Sequence, residues 1–207
     1  MLKIAVLVSG SGSNLQAIID SIESGYLNCS IEVVISDKKD AYGIDRAKSK
    51  NIKTYILDRK EYGANISGEI LKILDRKVDL IVLAGFLSIL QGELLCAFKN
   101  KIINIHPALI PSFCGGGMYG IKVHKKAIEY GVKVSGCTVH FVDEGTDSGP
   151  IIIQRVVDVY STDTAIDLQL RVLEEEHKAL PEAIKYISEG TIKIEGRKVL
   201  SIWKVES

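Results

Sequence analysis

The chain has no excess of either charge. Its 26 lysines and arginines balance 26 aspartates and glutamates, so no net field draws it to nucleic acid or a lipid surface, and a small-molecule partner fits better than a polymer. It also lacks a hydrophobic run long enough for a membrane span. The opening segment, residues 1–8, has the length of a core strand and carries no secretory cleavage pattern. Four cysteines, Cys29, Cys96, Cys114 and Cys137, are scattered without metal-ligand spacing, as reduced thiols in a cytoplasmic protein would be. Cys114 lies in a glycine-rich loop, but nothing marks a base for it. No linker, repeat or low-complexity tract interrupts the 207 residues, and one domain over 1–207 with an ample core is expected.

What is present is a series of apolar runs alternating with helix-period segments. The pattern predicts strands over Ile4–Val8, Glu32–Ser36, Lys53–Leu57, Leu80–Ala84, Lys101–Ile105, Val134–Val142 and Ile151–Val159. Helices fit Asn14–Ser24, Tyr42–Lys50, Glu61–Arg76, Ile121–Tyr130 and Ala165–Ser188. The early strands are rich in valine, isoleucine and leucine without alternation, as in a parallel sheet buried on both faces. The expected fold is α/β: a Rossmann-like, mostly parallel twisted sheet with helices on both faces. The later strands follow one another without a long helix and predict an antiparallel edge. A C-terminal hairpin is expected from Ile192–Ile194 and Val199–Trp203. In the last long helix, Ile166, Leu170, Leu173, Leu180, Ile184 and Ile187 form the expected core-facing stripe, with His177 buried on it. Pro181 should kink that helix or split it.

Two constellations carry chemistry. Residues 9–14, Ser-Gly-Ser-Gly-Ser-Asn, follow the first strand and precede a helix. Glycines let this backbone approach a ligand, Ser13 or Asn14 can cap the helix, and the free N–H groups at its start attract an anion. The loop lacks the lysine of a Walker motif. Gly10 and Gly12 fit only the first two positions of a dinucleotide fingerprint, although Asp37 keeps a nucleotide-ribose reading open.

The second constellation is Asn104, His106 and Asp147. Asn104 and His106, two residues apart in an apolar strand, point the same way and lie at its carboxyl end, where Pro107 stops the ladder and open α/β sheets bind ligands. An amide N–H and an imidazolium N–H can both donate to the oxyanion of acyl transfer. A nearby carboxylate favours the charged ring and can move protons. No serine, cysteine or metal is needed, and direct attack by a substrate amine suits these residues. His140 is expected to support the pair, and His124 to be a solvated helix residue. The apolar turn Leu87-Ser88-Ile89-Leu90 after the fourth strand suggests a wall for a flat hydrophobic ligand.

Together, residues 8–14, Asn104-Ile105-His106-Pro107 and the Val139-His140-Phe141-Val142 stretch running on to Asp147 and Pro150 strongly resemble the phosphoribosylglycinamide formyltransferases. The likeness runs from the first loop to the helix bearing Glu176. It implies a formyltransferase fold, 10-formyltetrahydrofolate as cosubstrate without a metal, glycinamide ribonucleotide as acceptor, and a monomer or homodimer. By the same likeness Asn104, His106 and Asp147 are catalytic, while Gly12, Ser13, Asn14, Pro107 and Glu176 meet the ribonucleotide. Arg59, Leu87, Ser88, Ile89, Leu90, Asn104 and Asp143 meet the folate. The chain departs from relatives at Ser88, where some carry arginine, and at Leu173, where some carry glutamine. Its glycine-rich segment 112–120 is longer than theirs, which suggests a lid. Formyltetrahydrofolate deformylase and a non-enzymatic nucleotide-binding module using Gly10, Gly12 and Asp37 are the competing readings. Methionyl-tRNA formyltransferase would need an added C-terminal domain and a basic surface, and neither is expected.

Overall fold

A computed structural model describes residues 1–74 and 77–201. The chain runs β1 (Leu2–Val8), α1 (Ser13–Glu23), β2 (Cys29–Ser36), α2 (Tyr42–Ser49), β3 (Thr54–Ile56), α3 (Arg59–Tyr62), α4 (Ile66–Leu74) and β4 (Leu80–Leu83). It continues with α5 (Glu93–Ala97), β5 (Ile102–His106), α6 (Ile121–Tyr130), β6 (Val134–Phe141), β7 (Ile151–Asp158), α7 (Ala165–Glu189), β8 (Ile192–Glu195) and β9 (Lys198–Ser201). One nine-stranded sheet results, in the order β3-β2-β1-β4-β5-β6-β7-β9-β8. The first five strands in that order are parallel, and β5–β6 and β6–β7 are antiparallel. The mostly parallel sheet with an antiparallel side follows the expectation, as does the C-terminal β8–β9 hairpin. The far ends of the expected fourth helix (Asp75, Arg76) and last strand (Ile202, Trp203) lie outside the described residues. The short helix α5 carried no periodic signal long enough to announce it.

The strand order reverses between β1 and β4. Loops leaving those two strands diverge to opposite sides, opening a crevice at the carboxyl edge. Side chains of β1 alternate between two apolar layers. Ile4, Val6 and Val8 pack with Leu15 and Ile18 of α1 and with Leu168 and Val172 of α7. Ala5 and Leu7 pack with Ile66 and Ile70 of α4 and Leu94 of α5. Burial on both faces is why these strands read as continuous aliphatic runs.

Helix α7 begins with a reciprocal cap. Thr164 Oγ1 accepts from the Asp167 N–H, and an Asp167 carboxylate oxygen accepts from the Thr164 N–H. It ends at Gly190, whose φ of 65° allows the left-handed closing turn. Of the kink or split expected at the buried Pro181, the split does not occur, and one helix runs on past it. Its core stripe also differs from the expected one in the first turns. Ile166 and Leu170 are exposed and Leu168 and Val172 face inward, while Leu180 and Ile184 are buried as expected, beside Glu176, Ala179 and Ala183. Small and polar side chains on the true inner face hid it from a count of large aliphatics.

This sets a stability test. Leu168→Ala should lower the unfolding free energy by about 2–5 kcal/mol, the usual cost of a vacated core site. Leu170→Ala, on the outer face, should change it by less than about 0.5 kcal/mol. Denaturant titration distinguishes this from the face expected by aliphatic spacing, where Leu170 would be the costly truncation.

Candidate functional site

Strand β5 delivers Asn104 and His106 to the crevice. Asn104 pairs in register with His140, and His106 with Thr138, on antiparallel β6. Asp147 arrives from the loop between β6 and β7 in the left-handed region at φ 54°, a conformation aspartate tolerates better than most residues. That loop leaves past the end of β6 so closely that a Cβ on Gly149 would lie 1.8 Å from the Phe141 carbonyl oxygen, so glycine is required there. The expected trio therefore converges. His106 Nδ1 lies 3.5 Å from one Asp147 carboxylate oxygen, and His140 Nε2 lies 3.7 Å from the other. Asn104 Nδ2 is 3.2 Å from His140 Nε2.

The glycine-rich segment 112–120 is docked onto this trio. His106 Nε2 donates to the Phe113 carbonyl at 2.9 Å, and the Gly115 N–H donates to Asp147 at 2.9 Å. At Cys114, between them, burial and the nearby Asp147 push the thiol up, and its Sγ donates to the Pro111 carbonyl. All four cysteines are free.

A cavity of about 250 Å³ opens beside the trio. Leu87, Ser88, Ile89 and Leu90 form one wall, Asp143 to Asp147 another, and Asn104, His106 and His140 line it as well. Arg59, expected on this side, is exposed at the start of α3 and is not among the lining residues. Asp143 lines the cavity, yet its Oδ1 accepts from the Ser148 hydroxyl and the Gly145 N–H and closes its own loop. The apolar turn is tied down at several points. Ser9 Oγ accepts from the Leu87 N–H, the Ser9 N–H donates to the Gly85 carbonyl, and Ser67 Oγ accepts from the Gln91 N–H. Ser88 donates to Asp37 at 2.7 Å. Asp37 is wholly buried by that arrangement, which overturns its reading as a ribose contact.

On the other side of β1, Gly12 starts α1 in the left-handed conformation, at φ 68°. A Cβ there would lie 2.5 Å from the Gly43 Cα, and the Gly43 N–H donates to the Gly10 carbonyl. Neither Ser13 nor Asn14 caps the helix, as had been expected; Gly12 holds the cap position without a side-chain bond. The N–H groups of the first turn have no intrahelical acceptor. The Asn14 side chain turns inward instead and donates to Glu176 at 2.7 Å. Both residues are buried, and Asn14 Oδ1 has no partner among the described residues. Burial pushes the Glu176 carboxyl up to about 7, against the bond from Asn14. Pro107 follows β5 and is half-buried.

Two histidines differ from expectation. His124 is buried rather than solvated, and burial, with His106 nearby, pushes its ring down to about 4. His177 is only half-buried, and its Nε2 lacks a partner among the described residues. Sequence reasoning gave no bonding role to Ser9, the Phe113 carbonyl or the Gly115 N–H. Backbone contacts from a distant loop leave no side-chain signature. Among the described residues no group of three or more histidine, cysteine or carboxylate side chains could hold a metal ion.

The fold has its counterpart in known proteins. Residues 2–184 match the family model described as Formyl transferase, and the chain belongs to that family. The phosphoribosylglycinamide formyltransferase of Haemophilus influenzae is 41% identical over 199 residues, 94% of this chain and 91% of that protein. Glycinamide ribonucleotide transformylase 1 from Symbiobacterium toebii, a crystal structure, superposes with a TM-score of 0.87 at 45% identity, covering 97% of this chain and 94% of that one. The trifunctional purine biosynthetic protein adenosine-3 of Homo sapiens is 40% identical over 93% of this chain, which spans 19% of that protein's length.

The displaced titration of Glu176 has a measurable signature. Its folded value near 7 lies above the ordinary 4.5, so between those values the unfolded chain releases a proton that the folded chain keeps. Stability from this group is therefore full below about 4.5 and falls as pH rises toward 7. Glu176→Gln should flatten that limb of a melting-temperature profile against pH. An unchanged slope would place the titration elsewhere.

Proposed function

We propose that this protein transfers the formyl group of 10-formyltetrahydrofolate to the amine of glycinamide ribonucleotide, a step of purine synthesis, as a cytoplasmic enzyme. The observation that supports this reading is that two candidate half-sites open at the carboxyl edge of one sheet. An apolar-walled cavity reaches Asn104, His106 and Asp147 from one side of β4, and the Gly12 loop with the Asn14–Glu176 pair stands after β1. Membership of the formyl transferase family supports the group transferred. The phosphate-type loop supports a phosphorylated acceptor.

In this mechanism the ribonucleotide phosphate docks on the N–H groups of Gly12, Ser13 and Asn14. Glu176 and Pro107 flank its glycinamide end. The pteridine lies against Leu87, Ser88, Ile89 and Leu90, with Asn104 and Asp143 beside it and Arg59 toward the tail. The neutral amine attacks the formyl carbon, and the carbonyl electron pair moves onto oxygen. Asn104 and protonated His106 donate to that oxyanion. The 3.5 Å between His106 Nδ1 and Asp147 is longer than a hydrogen bond, leaving the ring proton free to reach the substrate oxygen. Asp147, through water, takes a proton from the new C–N bond's nitrogen and supplies one to the folate nitrogen as the oxyanion's electron pair re-forms the carbonyl and the old C–N bond breaks. The products are the formylated amine and tetrahydrofolate.

The direct test is release of tetrahydrofolate with and without glycinamide ribonucleotide. Acceptor-dependent release is expected; equal release with water alone would make the protein a deformylase. Asp147→Asn preserves an acceptor for the Gly115 N–H and suits the left-handed backbone. It should melt like the parent yet lose on the order of 10²–10⁴ in kcat. Retained turnover in that variant would remove Asp147 from the mechanism.

A further inference from the structure

His140 is placed to do more than pack behind the trio. The ring is 2% exposed and both its nitrogens have defined neighbours. Nδ1 lies 2.8 Å from the Phe141 carbonyl oxygen, an atom that can only accept, so Nδ1 carries a proton. Nε2 faces the Asn104 side chain at 3.2 Å and an Asp147 oxygen at the longer distance of 3.7 Å. Burial holds the ring below its ordinary value. The Phe141 bond and the charges of Asp147 and Asp143 work against that, and the nearby His106 works with it. A neutral ring with its proton on Nδ1 leaves a lone pair on Nε2. Only the N–H side of the Asn104 carboxamide can meet a lone pair; the carbonyl side would place two acceptors in contact.

We propose that His140 is a positioning residue: its Nε2 lone pair fixes which way the Asn104 carboxamide faces. One Asn104 N–H is given to the ring, and the second is left for the cavity that Asn104 lines. The proposal rests on the reading of Asn104 as an oxyanion donor and assigns what aims it. The strand pairing makes the arrangement rigid, because Asn104 and His140 are register partners across β5 and β6. The ladder irregularity between Val139 and His140 sits at the same point. The extra residue there is Ile152 of β7, so His140 keeps its regular place opposite Asn104.

Two measurements test it on the full chain. In ¹⁵N-histidine-labelled protein without substrate, with His140 assigned by its disappearance in His140→Gln, Nδ1 should carry the proton and Nε2 should be bare at neutral pH. A proton on Nε2, in either the other tautomer or the imidazolium, overturns the proposal. The second measurement is a double-mutant cycle on kcat. His140→Leu should cost on the order of 10²-fold in the parent, the scale of a lost oxyanion donor. In an Asn104→Ala background it should cost less than about threefold, because no amide remains to be aimed. His140→Gln, whose Oε1 is an acceptor, should stay within about tenfold of the parent. Equal losses from His140→Leu in both backgrounds would show a role through Asp147 or the fold and would sink the proposal. The tautomer needs no turnover, so an inactive protein with the expected ring would count against the formyl-transfer reading alone.

Discussion

The site depends on the alternation of a single strand. Within β5, Ile103 and Ile105 are committed to the apolar layer beneath α1 and α7, while Ile102 belongs to the layer beneath α4 and α5. A two-residue period leaves Asn104 and His106 on the Ile102 side, where the last apolar cover runs out at the carboxyl edge. The same strand has a parallel neighbour on one side and an antiparallel one on the other. That change of direction runs β6 back toward the start of β5, where Phe141 pairs with Ile103, so the β6–β7 loop folds back along the sheet to bring Asp147 beside His106 and His140.

Bonds between loops then make one unit of what topology gathers. Ser9 joins the loop after β1 to the loop after β4 through both its backbone N–H and its hydroxyl. Segment 112–120 is bonded to His106 and Asp147 at once. Each contact is an ordinary hydrogen bond worth about 1 kcal/mol net. Their value lies in placement, since a substrate that shifts one loop must work against the others.

How much of this was legible in the chain follows the range of the interaction. The parallel strands announced themselves as aliphatic runs because both their faces are buried. Asn104 and His106 were legible because their shared direction needs only the two-residue period. Asp147 could be named as the acid of the trio, but its approach to the imidazole is set by a loop 41 positions along the numbering, which no local pattern encodes. The inner face of α7 was misread where alanine, valine and a glutamate replace large aliphatics. His124 and Asp37 were misplaced for a related reason: burial of a polar side chain is decided by what packs over it, and neither neighbour is close in sequence. The bonding of segment 112–120 through backbone atoms had no sequence signal at all.

The contact between Gly12 and Gly43 reaches further than the loop it supports. With a Cβ on Gly43 meeting Gly12 Cα at 3.3 Å and a Val8 methyl at 3.0 Å, the two backbones lean on each other with no side chain between them. Helix α2, which touches no part of the trio, thus acts as a mechanical stop for the start of α1. The bulk tolerated at position 43 is accordingly coupled to the curvature of a loop 31 positions earlier. Lineages drifting at either glycine would be expected to change both together or neither.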